Sequence, residues 1–317
     1  MYKNLTKIST KDMTHDEWLE QRRHHVGGSD AATIVGLNEW SSPVAVWADK
    51  LGKVEPIAEN EAMRQGHDLE EYVAKRFEEQ TGKKVRRENN ILVNQEIPFA
   101  HANVDRLIIG EDAGLECKTT KSLNLKKYRQ GEFPDRFYVQ CMHYIMVTGA
   151  AKWYLAILVF GSDFFVYEIN RDDEEIAALR AAEQEFWGYV ESKTLPPIDD
   201  AKSTKETLSK IFNGGGADEV TFDGDLTAQI AVRDELKEKI KELTKAVDLI
   251  DNQVRAELGN NEVGFAGGRK ITWLTQTKMM LDMELMKAAL PDVDFNKFLK
   301  PSTSRVLRYA KAKRKED

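Results

Sequence analysis

The stretch HANVDRLIIGEDAGLECKTT, residues 101–120, constrains this chain more than any other part of it. Two short runs of strand-forming residues flank Gly110-Glu111-Asp112-Ala113-Gly114, a dense reversal signal, so they pair antiparallel. With the turn centred near Gly110 and Glu111, partners across the hairpin have residue numbers that sum to 221, and Asp105 falls opposite Glu116. Directly opposed side chains lie about 5 Å apart, and two like charges there destabilise a sheet unless something neutralises them. A divalent cation would do so. Side chains alternate along a strand, so Lys118 shares the face of Glu116 while Cys117 and Thr119 point the other way. One face of one hairpin thus carries Asp, Glu and Lys together.

Carboxylate oxygens suit Mg2+, an ion that keeps several waters and takes one or two protein carboxylates. An ammonium beside them would orient, or help deprotonate, an attacking water. These are the parts that in-line hydrolysis of a phosphodiester requires. A third carboxylate is expected from the helix read over residues 60–80 and closed by Gly82. Ala62, Gly66, Leu69, Glu70, Val73 and Phe77 share one face of it, and Glu71 lies on another. A buried carboxylate needs a partner, so Glu70 is expected at the cation centre, with Gly66 one turn earlier permitting close approach. On a later helix Gln140 lines up with Phe137 and Tyr144, an amide among aromatics that also needs a partner. Other constellations are weaker. His24 and His25 are adjacent, diverge on a helix and read as exposed side chains; HExxH, GxSxG and glycine-rich phosphate loops are absent from the sequence.

Residues 14–52 read as short helices, with Ser29 a candidate N-cap for DAATIV and Pro43 in the first turn of the next helix. VRRENNILV, FAHANVDRLII and GLECKTT read as consecutive antiparallel strands, residues 135–148 as a helix, WYLAILVF and FFVYEI as a hairpin, and 172–193 as a helix. This order fits an α/β (α+β) domain over residues 1–197, with one central sheet flanked by helices. Residues 198–225, containing Gly214-Gly215-Gly216, read as a linker, and 226–317 as a mainly helical extension. In that extension Leu236, Ile240, Leu243, Val247, Ile250 and Val254 recur at 4-3-4-3-4 spacing. Such a seam fits packing within the chain as well as pairing with another chain. A helix at 282–290, a strand at 304–309 and a basic end carrying Arg305, Arg308, Lys311, Lys313, Arg314 and Lys315 complete the chain.

Composition narrows the class. With 41% hydrophobic residues and 13 Phe, 9 Tyr and 6 Trp, the 317-residue chain has the apolar surface for a packed core. No run approaches the ~18–20 apolar residues that span a bilayer, and the first residues lack a secretory hydrophobic segment, so a cytoplasmic protein without a membrane anchor is expected. Two cysteines, Cys117 and Cys141, without CxxC spacing fit a reducing compartment and exclude a four-cysteine iron–sulfur cluster. A net charge of -7 and a pI near 5.6 argue against a generally basic nucleic-acid binder. Residues 1–200 hold 25 Lys and Arg against 34 Asp and Glu, and residues 201–317 hold 21 against 19, so any DNA contact in the first part must be local.

Taken together, these segments resemble the PD-(D/E)xK nuclease superfamily, and more closely the lambda exonuclease and YqaJ-type viral recombinase nucleases, over residues 14–195. The likeness rests on WLEQRRHHVGGSDAA (18–32), QGHDLEEYVAKRFEEQTG (65–82), HANVDRL (101–107), LECKTT (115–120) and YVQCMHYIMVTG (138–149), with Val104 where the family usually has Pro. The resemblance implies a restriction-endonuclease-like core with a central mixed sheet. By position it implies that Asp105, Glu116 and the Cys117 carbonyl bind metal, that Lys118 activates the attacking water, that Glu70 serves a second metal, and that Gln140 supports the site. Arg22 and Ser29 match residues that receive a 5′ phosphate. The implied cofactor is Mg2+ in a two-ion site, with Mn2+ able to substitute. The implied activity is 5′-to-3′ digestion of double-stranded DNA with free ends, by a ring-shaped homotrimer that works beside a single-strand annealing protein in phage or prophage recombination, in a bacterial host. An endonuclease of the superfamily would use the same carboxylates but leave Arg22 without a terminal phosphate. A catalytically idle end-binding scaffold would have no use for opposed carboxylates.

Overall fold

The computed structural model describes residues 5–310 apart from 57, 122, 123, 215, 217, 218, 223 and 302–304. The chain divides into two units, Met1–Asn213 with Leu307–Asp317, and Gly214–Val306. The first unit runs β1 (Leu5–Ser9), α1 (His15–Arg23), α2 (Gly28–Ile34), α3 (Pro43–Lys50), α4 (Glu61–Thr81), β2 (Val85–Arg87), β3 (Asn90–Asn94), β4 (His101–Ala102), β5 (Arg106–Ile108), β6 (Ala113–Thr120), α5 (Leu125–Arg129), α6 (Asp135–Thr148), β7 (Lys152–Val159), β8 (Asp163–Asn170), α7 (Asp173–Ser192) and α8 (Lys202–Ile211).

Local chemistry sets the helix ends. Thr14 and Glu17 form a reciprocal capping box at α1, Ser42 caps α3 ahead of Pro43, and Gly82 ends α4 in the left-handed conformation at φ 72°. Ser29 is not the cap of α2. The helix starts two residues earlier, with Gly27 as N-cap, because the Asp30 side chain reaches back to the Gly27 N–H at 2.9 Å.

The main sheet is mixed, in the order β2-β5-β6-β7-β8. β6 and β7 run parallel, joined by a crossover through α5 and α6, and every other neighbouring pair is antiparallel. A smaller sheet has the order β1-β3-β4. The two runs read as continuous strands are therefore each broken. VRRENNILV splits into β2, paired with β5, and β3, paired with β1 and β4. Glu88 sits at this break, nearly buried, and binds Arg86, Asn90 and Lys7. FAHANVDRLII splits into β4 and β5, which frees residues 103–105 from the ladder. The hairpin register is the expected one: Arg106 pairs with Leu115 and Leu107 with Gly114.

Two apolar layers cover the main sheet. Val73, Ala74 and Phe77 of α4 pack on Ile108, Ala113, Leu115 and Ala156, while Phe137, Cys141, Tyr144 and Ile145 of α6 pack on Leu107, Trp153, Leu155 and Ile157. Gly114 is required where it stands, since a Cβ there would lie 2.1 Å from Cζ2 of the fully buried Trp153. The stretch read as linker over 198–225 begins instead with α8, whose apolar side joins Ile211 to the cluster of Trp47, Phe186 and Val190.

The second unit is built on α9 (Gly224–Leu258), a helix of 35 residues. The expected seam lies along it and is open: Leu236, Ile240, Leu243, Val247 and Ile250 are each more than half exposed. A hairpin of β9 (Val263–Ala266) and β10 (Arg269–Thr272) turns over Gly267 and Gly268, both at positive φ. Then come α10 (Met283–Ala289), capped by Asp282, and a 3-10 turn at Phe295–Phe298. Residues 305–309, read as a strand, are not in strand conformation; Ser304 and the basic residues Lys311, Lys313, Arg314 and Lys315 lie outside the described residues.

Candidate active site

The break between β4 and β5 turns Asp105 back across the hairpin, where its Oδ2 accepts the Cys117 N–H at 2.8 Å in place of a ladder carbonyl. Glu116, on β6, is 2% exposed. Its Oε1 accepts from Gln140 Nε2 at 2.8 Å and pairs with Lys118 Nζ at 2.5 Å, while Oε2 is buried without a hydrogen-bond partner among the described residues. Gln140 also donates to Tyr144 Oη at 2.8 Å, and that hydroxyl donates to the Asn103 carbonyl at 3.1 Å. The amide that the helical pattern left in need of a partner thus links α6 to Glu116. Tyr144 in turn needs Gly28, where a Cβ would stand 2.6 Å from its ring.

The carboxylates of the cleft repel one another in a buried setting. Burial, then Glu116, then Glu70 push the Asp105 carboxyl well above its ordinary range, against the opposing pull of Lys118 and the Cys117 N–H. Burial disfavours the Lys118 ammonium, but Glu116 and Asp105 outweigh it and hold this lysine charged. Charged Lys118 donates to Glu116 Oε1. The Cys117 and Cys141 thiols are pushed up, first by burial and then by the neighbouring carboxylates, so both stay uncharged.

Glu70 has a partner that the sequence reading missed. Arg106, 3% exposed, donates to Glu70 and to the Asp105 carbonyl, and reaches Glu71 Oε2 at 3.0 Å. Among the described residues no three His, Cys, Asp or Glu side chains converge at metal-ligand spacing. Three carboxylates, Asp105, Glu116 and Glu70, do line the same cleft. With the orphaned oxygen of Glu116 they fit Mg2+, which draws its remaining ligands from water, backbone carbonyls and phosphate.

Asp105, Glu116, Lys118, Gln140 and Glu70 line one cleft of about 440 Å³ together with Arg22 and Ser29. Arg22 Nη2 donates to Ser29 Oγ at 2.7 Å, and its guanidinium lies 4.7 Å from the Trp18 ring centroid. His101 is a further wall residue for which no sequence spacing gave a signal. Burial first, then Lys50 and Arg22, hold its imidazole well below the usual range and therefore neutral. A second cleft of about 550 Å³, beside Lys127 and Phe133, contains none of these groups.

Fold and site together define a mixed-sheet α/β protein with a buried carboxylate–lysine centre. The YqaJ-like viral recombinase domain matches residues 17–151. Over 291 residues the chain is 40% identical to the uncharacterized protein YqaJ of Bacillus subtilis (strain 168), covering 89% of this chain and 90% of that one. The chain belongs to the YqaJ-like viral recombinase family. Among solved structures, the alkaline exonuclease LHK-Exo from Laribacter hongkongensis is 20% identical, with a TM-score of 0.49 over 56% of this chain and 93% of that chain. A phage related exonuclease from Haemophilus somnus 129PT is 14% identical, with a TM-score of 0.42 over 55% and 99% of the two chains.

Proposed function

We propose that this protein is a Mg2+-dependent deoxyribonuclease that digests double-stranded DNA from free ends, 5′ to 3′, in phage- or prophage-type recombination by strand annealing. The observation that carries the reading is the buried Glu116 carboxylate, held on one oxygen by Gln140 and Lys118 and orphaned on the other, beside an Asp105 whose charge the site resists. Asp105, Glu116 and the Cys117 carbonyl would hold a divalent cation, with Glu70 at a second one and Mn2+ able to replace Mg2+. When bound, the cation supplies Lewis-acid stabilisation of phosphodiester oxygens.

The chain's own groups do the rest. Gln140, anchored by Tyr144, fixes the Glu116 carboxylate; Lys118 donates to the attacking water and offsets charge at the scissile phosphate. Arg22 and Ser29 receive the 5′ phosphate, for which a guanidinium fork is well shaped. A pocket for a terminal phosphate in the cleft of the carboxylates favours an exonuclease over an endonuclease of the same fold. A closed homotrimer would let a few inward Lys and Arg hold duplex DNA while the acidic exterior stays in solvent. A single-strand annealing protein as partner and the bacterial cytoplasm as compartment belong to the same proposal, which the family's description as a viral recombinase supports.

The test is digestion of linear duplex labelled at either end, alongside closed circular DNA. Nucleotides released first from the 5′ end, with the circle intact, are expected. Arg22→Ala should lower the preference for 5′-phosphorylated ends by roughly tenfold or more, the scale of a charged hydrogen bond. Cutting of the circle would instead identify an endonuclease.

A further inference from the structure

We propose that Lys50 is a positioning residue of the end-binding pocket, whose buried ammonium engages Asp30 and the Arg22 carbonyl and so keeps the Arg22 guanidinium free for a terminal phosphate. The proposal rests on the reading of Arg22 and Ser29 as that pocket.

Lys50 ends α3, and its side chain is only 1% exposed. An ammonium buried to this degree is costly unless its donors are matched. Its Nζ lies 2.6 Å from Asp30 Oδ2 and 2.8 Å from the Arg22 carbonyl oxygen. That carbonyl belongs to the last turn of α1, where helix carbonyls have no intrahelical N–H to accept from. Asp30 Oδ2 meanwhile accepts the Gly27 N–H, two residues before Ser29. One ammonium therefore ties the backbone of Arg22 to the turn that carries Ser29. Its own element is firmly seated, because Trp47, one turn earlier in α3, donates its indole N–H to the Tyr189 carbonyl at 3.0 Å.

The charge arrangement matters as much as the tether. Burial pushes the Asp30 carboxyl up, but Lys50 and Arg22 pull harder and hold it at about 2, so Asp30 is an anion flanked by both cations. The ion pair within reach is formed with Lys50, while Arg22 is given to the Ser29 hydroxyl. A hydroxyl is a weak partner that phosphate oxygens displace readily; a carboxylate is not. With Lys50 present, Arg22, Lys50 and Asp30 leave one net positive charge for an incoming phosphate. Without it, the net charge is zero and Asp30 becomes the competitor for Arg22.

A buried pair that merely props the fold and one that sets the charge of the pocket respond oppositely to a second substitution. In full-length protein with Mg2+, kcat and KM are measured on linear duplex bearing 5′-phosphate or 5′-hydroxyl ends for Lys50→Met, Asp30→Asn and the double variant. Lys50→Met should lower the phosphate preference roughly tenfold, through KM for the phosphorylated end. Adding Asp30→Asn removes the competitor and should restore most of that preference. Asp30→Asn alone, which keeps an oxygen for the Gly27 N–H, should retain or raise it and stands as the test if Lys50→Met does not fold. The proposal is overturned if Lys50→Met keeps its preference, if the double variant is no better than Lys50→Met, or if Asp30→Asn alone loses preference. Full preference in Arg22→Ala would instead remove the phosphate-pocket reading itself.

Discussion

Replacing Asp105 by Asn removes a charge while keeping a hydrogen bond, since the amide oxygen can still accept the Cys117 N–H now accepted at 2.8 Å. What disappears is repulsion with Glu116 and Glu70. An ionised Asp105 about 5 Å from the Glu116 carboxylate would feel a repulsion of about 3 kcal/mol at an effective dielectric of about 20. Lys118 offsets part of this, so Asp105→Asn should stabilise the cation-free protein by about 1–2 kcal/mol. The pH dependence follows from the raised carboxyl. Burial, Glu116 and Glu70 make folded Asp105 hold its proton above the unfolded value. The wild-type protein is therefore favoured below about pH 4 and loses stability as pH rises towards the raised folded value. The variant lacks this loss, so its advantage should grow as pH rises above about 4. Urea unfolding followed by tryptophan fluorescence in EDTA measures it directly. Mg2+ at a hundredfold excess over its Kd should then stabilise the wild type by about 2.7 kcal/mol and the variant far less. A variant no more stable than wild type at pH 8 in EDTA, or equal stabilisation of both by Mg2+, would refute the reasoning.

Gly28→Ala places a Cβ 2.6 Å from the Tyr144 ring, and should cost about 1–3 kcal/mol in thermal unfolding while slowing digestion, because Tyr144 anchors Gln140 and through it Glu116. Wild-type stability and rate together would contradict that chain of contacts. Lys118→Met strips the buried Glu116 of its cation; loss of cutting with a fall of about 2–4 kcal/mol in EDTA is expected, and retained turnover would remove Lys118 from the site. A chain truncated after Asn213 should remain soluble and cut linear duplex, whereas truncation after Asp200 removes α8 and should lower the melting temperature by exposing the cluster of Trp47 and Phe186. Equal melting of the two truncated chains would show that α8 adds nothing to the first unit.

The hairpin of the site was legible because turn chemistry and strand alternation are local rules: the reversal at 110–114 sets the 221 register of Arg106 and Leu115, beside which Asp105 and Glu116 line one cleft. Gln140 was legible for a related reason, since a helical face of Phe137 and Tyr144 leaves its amide no apolar place to go. Arg106 was not. Strand periodicity gives its direction but not the helix opposite, and only the packing of α4 on the sheet brings Glu70 to it. The breaks at 88–89 and 103–105 were also hidden, because strand propensity runs through both and a choice between two sheets is made by long-range pairing with β1 and β5. The Lys50–Asp30 pair belongs to the same class: residues twenty apart on two short helices, joined only by tertiary packing.

The most direct measurement is release of acid-soluble nucleotides from linear duplex by the wild type and by Glu116→Gln, each in Mg2+ and in EDTA. If Asp105, Glu116 and Lys118 form a cation-dependent hydrolytic centre, wild-type protein digests the duplex only with Mg2+ and Glu116→Gln digests it under neither condition while unfolding as cooperatively as wild type. Digestion in EDTA, or turnover by Glu116→Gln at the wild-type rate, would contradict it.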